Sequence, residues 1–236
     1  MTAKQRYRPR EILATALFLS LALSVVFSAV RLIQAPAEQP ETGGHVKVKS
    51  DYLLMLTQCV LGLVVMSLPS AIARRWRLDI PHFIYILYYV FLYCAVFLGE
   101  VFSFYYLVPH WDSILHFFSG AMLASLGFIL VDLLNREERM RVQLSPLFVS
   151  LFAFCFALAA GAVWEIYEYT CDTALRLNMQ KYQTEAGVAL VGRAALRDTM
   201  KDIILDALAA LLVAAIGYFG IRKKQRDSLT ITKEAS

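Results

Sequence analysis

Residues 145–171 read SPLFVSLFAFCFALAAGAVWEIYEYTC, and this stretch decides the fold. From Pro146 to Trp164 it carries no charged side chain. That is close to the roughly 20 residues a helix needs to cross the hydrocarbon core of a bilayer. Glu165 and Glu168 then enter before the apolar run ends. Runs of similar length recur along the chain, which is 236 residues long, 58% hydrophobic and 18% charged. Soluble domains hold about 45–50% apolar and about 25% charged residues, so a soluble protein with a large core is excluded. Short alternating strands, the mark of a membrane barrel, are not seen. The fold class is all-α: a polytopic membrane protein with spans predicted at about 11–33, 52–73, 82–108, 112–134, 145–171 and 198–221. One six-helix domain is expected over 1–226, followed by a disordered polar tail over 227–236.

Basic residues orient these spans, because Lys and Arg are retained on the cytoplasmic side. Lys4, Arg6, Arg8 and Arg10 precede the first span, and Arg74, Arg75 and Arg77 follow the second. Arg136, Arg139 and Arg141 follow the fourth; Arg222, Lys223, Lys224 and Arg226 follow the sixth. All four groups fall on one side, so both termini are expected inside. The first span, from about Ile12 to Ile33, is long for a signal-peptide core and reads as a retained helix. The opposite side carries a hydrophilic loop at 34–51, a tight turn at Pro109-His110-Trp111, and a longer loop at 172–197 with an interfacial helix expected around Gly187–Leu196.

The net charge of +4 does not suggest nucleic-acid binding. Cys59, Cys94, Cys155 and Cys171 lack the paired spacing of zinc or redox motifs and read as small buried residues.

The informative residues are the acidic ones inside the apolar runs. An Asp at the centre of a membrane helix costs about 2.5–3.5 kcal/mol on insertion scales. The fourth span opens with Asp112 and His116, four apart on one face that continues through Gly120, Ala124 and Gly127. The fifth ends on a stripe of Gly161, Glu165, Glu168 and Asp172. The sixth begins Asp198, Asp202, Asp206 and continues through Ala210, Ala214 and Gly217. With alternating chain direction, these groups converge in the outer half of the bundle, where Glu100 of the third span also falls.

Grouped carboxylates are held together by protons, by basic partners or by a metal. Each option gives a function class. The first is a proton or cation path through Glu100, Glu165, Glu168 and Asp206. The second is a structural network with Arg193, Arg197 or Lys201 as counter-charges. The third is a divalent-metal site, with Asp112, His116, Glu165 and Asp202 as ligands and Glu168 and Asp206 as catalytic groups. Oxygen ligands suit Mg²⁺ or Mn²⁺, and the histidine admits Zn²⁺. Arg176, Lys181, Arg193, Arg197 and Lys201 lie on the side where basic residues are scarce. Of these, Arg193 and Arg197 are the candidates for binding an anionic, phosphate-bearing lipid headgroup. The metal reading makes the chain an enzyme, a hydrolase or transferase acting on such a lipid at the outer face of a cell membrane.

The order of these motifs, Asp112-x3-His116-Phe117 with Gly120, then Trp164-Glu165-x2-Glu168, then Asp198-x3-Asp202-x3-Asp206, resembles the YjdF-like family of bacterial inner-membrane proteins and, more distantly, the VanZ-like family. The likeness covers roughly the third to sixth spans. Glu168 and Asp206 depart from the Glu-x-x-Gln and Asp-Asn pattern of VanZ-like proteins, so a glycopeptide-resistance role is not carried over. The resemblance implies a bacterial multi-pass membrane protein whose polar positions are its functional ones.

Overall fold

A computed structural model describes residues 3–38, 46–76, 80–136, 144–184 and 188–234. The chain is all-helical: 83% helix, without strands among the described residues. Six helical stretches are long and apolar enough to cross a membrane. The helices are α1 (Ala3–Gln34), α2 (Lys49–Val65), α3 (Leu68–Trp76), α4 (His82–Leu92), α5 (Phe104–Leu107), α6 (Trp111–Arg136), α7 (Pro146–Leu175) and α8 (Arg197–Glu234). A π-helical segment, Tyr93–Val101, extends α4. The chain divides into two compact units. One comprises Met1–Leu115 and Cys171–Ala195; the other comprises His116–Thr170 and Leu196–Ser236.

The predicted second span is broken into α2 and α3, for a reason written at Pro69. Proline has no N–H and cannot bond the carbonyl four residues back. That carbonyl belongs to Val65, and the Tyr88 hydroxyl donates to it at 2.8 Å. The third span departs from a plain α-helix as well. Its π segment frees backbone acceptors, and Trp111 Nε1 donates to the Cys94 carbonyl at 3.3 Å. Gly99 lies in this segment because a Cβ there would stand 2.5 Å from the Tyr105 ring. Ser103, at φ 60°, turns the chain into α5, and His110, at φ 62°, forms the tight turn before α6.

The first unit is built on an apolar core of Leu17, Leu21, Met55, Cys59, Tyr85, Tyr89, Leu92 and Val96. Two arginines pin its helices. The Arg10 guanidinium stacks 3.6 Å from the Tyr85 ring centre and donates to Ser70 Oγ at 3.2 Å. Arg31 Nε donates to the Tyr52 hydroxyl at 3.2 Å. The residues after α7 fold onto this unit. Both Asp172 oxygens take backbone N–H groups, from Met179 at 2.8 Å and Gln180 at 3.0 Å. Asn178 clasps Gln183 in both directions, and Gln183 bridges to Ala189. Among its described residues this loop contains a 3-10 turn, Gly192–Ala194, within the stretch where an interfacial helix was expected around Gly187–Leu196; Gly187 lies outside the described residues.

The second unit packs α6, α7 and α8 in a readable register. Gly120 meets the backbone of Asp206, Gly161 meets its carboxylate, and Ala124, Ala157 and Ala210 form a buried cluster. Gly127 meets Ala153 one turn further. Pairs 120/206 and 124/210 advance together, whereas 161/206 and 157/210 run oppositely. Thus α6 and α8 are parallel and α7 is antiparallel to both. Small residues at the contact let membrane helices approach closely. α8 continues beyond the predicted span end near 221, through Glu234. After Gly220 there is no Gly or Pro to end it, and Lys, Arg and Gln favour helix.

The four cysteines are free; of these, expected to be small buried residues, Cys59 is buried, Cys94 and Cys171 are partly buried, and Cys155 is exposed.

Candidate functional site

One turn before Gly120, Asp206 and Gly161 sets the level of the site. Four residues back on α6 is His116; four back on α8 is Asp202. Four forward on the antiparallel α7 is Glu165. The three therefore share one layer, about 6 Å from the glycine layer by the rise of four helical residues. The members on α6 and α8 meet: His116 Nε2 stands 3.9 Å from Asp202 Oδ2. The layer is withdrawn from solvent. The side chains of His116 and Asp202 are 11% and 2% exposed, and Glu165 is 6% exposed.

Asp206, in the next layer, holds the histidine from behind. Its Oδ2 lies 3.4 Å from His116 Nδ1, and its Oδ1 accepts the Ser119 hydroxyl at 3.2 Å. Gly161 presses against the same carboxylate: a Cβ there would fall 2.5 Å from Asp206 Oδ2. Asp206 is thus wedged between α6 and α7 and fixes the imidazole, while Nε2 and Asp202 face the layer above. A ligating histidine whose other nitrogen is held by a carboxylate is the usual arrangement around protein-bound metals. Two ligands of one ion, each about 2.0–2.2 Å from it, lie within about 4.4 Å of each other. The 3.9 Å between His116 Nε2 and Asp202 Oδ2 fits that limit. His116 and Asp202 offer a nitrogen and a carboxylate oxygen close enough to serve one ion, donors suited to Mn²⁺, Mg²⁺ or Zn²⁺, and Glu165 comes level with them by helical register.

Other residues singled out in the sequence have partners of their own. Asp112, one turn before His116 on α6, receives the Lys181 ammonium at 2.6 Å within the first unit. Lys181 also lies 5.8 Å from the centre of the Tyr105 ring. Asp112, expected as a metal ligand, thus has Lys181 as one of its partners. Glu168 accepts Trp164 Nε1 at 2.9 Å, one turn back on α7. By the same register it comes level with Thr199, a layer outward of Glu165. Asp198 and Asp202 have Lys201 at 4.0 and 3.8 Å. Arg193 and Arg197 are both exposed. Glu100 belongs to the first unit, within electrostatic reach of Lys47, Asp51 and Lys181. Ser119 is the member that reading the sequence missed; its place one turn after His116 was the available signal.

The model of the family described as "Predicted membrane protein (DUF2238)" matches residues 13–223. The chain belongs to this family. A protein of Thermotoga maritima, named only "Uncharacterized protein", is 31% identical over 135 residues, which is 57% of this chain and 59% of that one. The match thus spans less than two thirds of the relative's length. No solved structure matches the chain. The family description and the six candidate spans agree: this is an integral membrane protein.

Proposed function

We propose that this membrane protein binds a divalent cation through His116, Glu165 and Asp202, with Asp206 as the group that orients His116. The observation that carries the reading is the layered register of α6, α7 and α8, which sets one imidazole and two carboxylates at one level with a third carboxylate behind the ring. When bound, such an ion supplies a Lewis acid and an activated water for attack on a phosphoryl group. Of the chain's own residues, Asp206 and Ser119 hold the imidazole, Glu168 stands one layer outward, and Arg197 begins α8 above Asp198 and Lys201. The substrate class we infer is a phosphate-bearing membrane lipid, with Arg193 and Arg197 as exposed cationic groups for its headgroup. The basic flanks of the spans support an orientation with both termini inside and the site toward the extracytoplasmic face of a bacterial inner membrane. A YjdF-like assignment is consistent with the family match.

The chemistry is tested with purified protein in vesicles containing phosphatidic acid. Phosphate release that requires Mn²⁺ and is lost in Glu165→Gln and Asp202→Asn supports the reading. Equal release from wild type, both variants and protein-free vesicles removes the enzymatic part.

A second reading has its own observation. Both imidazole nitrogens of His116 face carboxylates, Asp202 on one side and Asp206 on the other. A proton could pass along that chain in a cation- or proton-coupled carrier. The layer beneath is Ala124, Ala157 and Ala210, which extends no polar track inward within this unit. The cation site therefore ranks first.

A further inference from the structure

Asp202 faces two nitrogen-bearing side chains with its two oxygens. Oδ2 faces His116 Nε2 at 3.9 Å, and Oδ1 faces Lys201 Nζ at 3.8 Å. Both separations are ion-pair distances, longer than the roughly 2.7–3.2 Å of a hydrogen bond. The two partners differ in mobility. His116 is fixed through Asp206, whereas Lys201 is 41% exposed and reaches over a carboxylate that is 2% exposed. The ammonium sits on a flexible stem with rotatable donors. It also has a second resting place, since Asp198 Oδ1 lies 4.0 Å from the same Nζ.

We propose that Lys201 is a tethered counter-ion of the cation site, covering Asp202 when no divalent ion is bound and swinging toward Asp198 when one enters. The proposal rests on the cation reading above and adds to it how the site is kept neutral and how its affinity is set. An ionised carboxylate buried in a membrane is costly unless a positive group stands beside it. Lys201 supplies one without a metal, and its departure lowers the affinity for any ion that replaces it. The site is thereby set to a weaker, exchangeable affinity than its three ligands alone would give. An ion that carries two charges outcompetes the ammonium; a monovalent ion does not.

The test is Mn²⁺ binding to the full-length protein in detergent, read from the electron paramagnetic resonance signal of free Mn²⁺. Wild type, Lys201→Met, Lys201→Gln and Lys201→Arg are compared, each shown by size-exclusion elution to be monodisperse. Removing a unit charge about 6 Å from a divalent ion, across water-like dielectric, should tighten binding on the order of tenfold, while Lys201→Arg stays within about twofold of wild type. The Gln variant carries the test if the Met variant does not fold. Wild-type binding that the Met and Gln variants leave unchanged or weaken would overturn the counter-ion role and leave the cation site standing; it would mark Lys201 as a partner for an anion instead. No Mn²⁺ on any of the four proteins would take down both.

Discussion

Replacing Gly120 with alanine is a sensitive probe of the register on which the site depends. The added methyl would lie 2.7 Å from the Asp206 carbonyl oxygen and 2.8 Å from its Cα. Ordinary contact begins at 3.4 Å, so α6 and α8 must separate by about 0.7 Å at this level. The obstructing atoms are backbone, which cannot rotate aside. Overpacking of this kind costs about 1–3 kcal/mol. Alanine also favours helix over glycine by about 1 kcal/mol, and that gain must be removed from the comparison. Gly220→Ala removes it, because a Cβ there meets nothing within 4 Å. Both variants gain the same propensity, so Gly120→Ala should be about 1–3 kcal/mol less stable than Gly220→Ala. Thermal unfolding in detergent, followed by circular dichroism, should show the first melting several degrees below the second. Equal melting temperatures would mean that α6 and α8 do not touch at Gly120 and Asp206. The level shared by His116, Glu165 and Asp202 would then lose its basis.

Three further outcomes follow from other contacts. Tyr88→Phe removes the donor to the Val65 carbonyl and should lower stability by about 0.5–1.5 kcal/mol in the same melt, whereas Phe at Tyr93, which has a ring contact with Phe97, should change it less. Asp172→Ala frees the N–H groups of Met179 and Gln180; limited proteolysis should then cut within 176–184 many times faster than in wild type, and an unchanged rate would contradict the pin. Lys181→Met and Asp112→Leu should each destabilise, while the double variant recovers part of the loss, since removing one partner strands the other. Additive losses in that cycle would show that the 2.6 Å pair contributes nothing as a pair.

The spans were legible because charge exclusion over about 20 residues is a strong, local signal. The register was legible for a similar reason: Gly120, Ala124 and Gly127 on α6 and Ala210 and Ala214 on α8 are spaced as contact faces. Pro69 marked the α2/α3 break, but the Tyr88 hydroxyl that satisfies Val65 comes from another helix and has no local signature. The π segment at Tyr93–Val101 left no trace in an apolar run whose periodicity is weak. The helical tail beyond 221 was legible in principle, since nothing after Gly220 breaks a helix. Among the polar residues, His116, Glu165, Asp202 and Asp206 follow from helical spacing alone. The partner of Asp112 does not: Lys181 lies 69 positions away in a loop, at φ 47°, a backbone geometry that sequence pattern does not encode for lysine. Lys201 was readable as a counter-charge, but Lys181 was only one basic residue among several on the outer side; each sits on a carboxylate. Charge counts place such residues on a side; only packing assigns their partners.

The most direct measurement is the metal content of the purified protein after equilibration with Mn²⁺ and removal of free ion. Stoichiometric Mn²⁺ in wild type, retained in Gly220→Ala and lost in His116→Ala, Glu165→Gln and Asp202→Asn, is the predicted result. A wild-type protein that retains no divalent ion, or an Asp202→Asn variant that retains as much as wild type, would contradict a cation site at this layer.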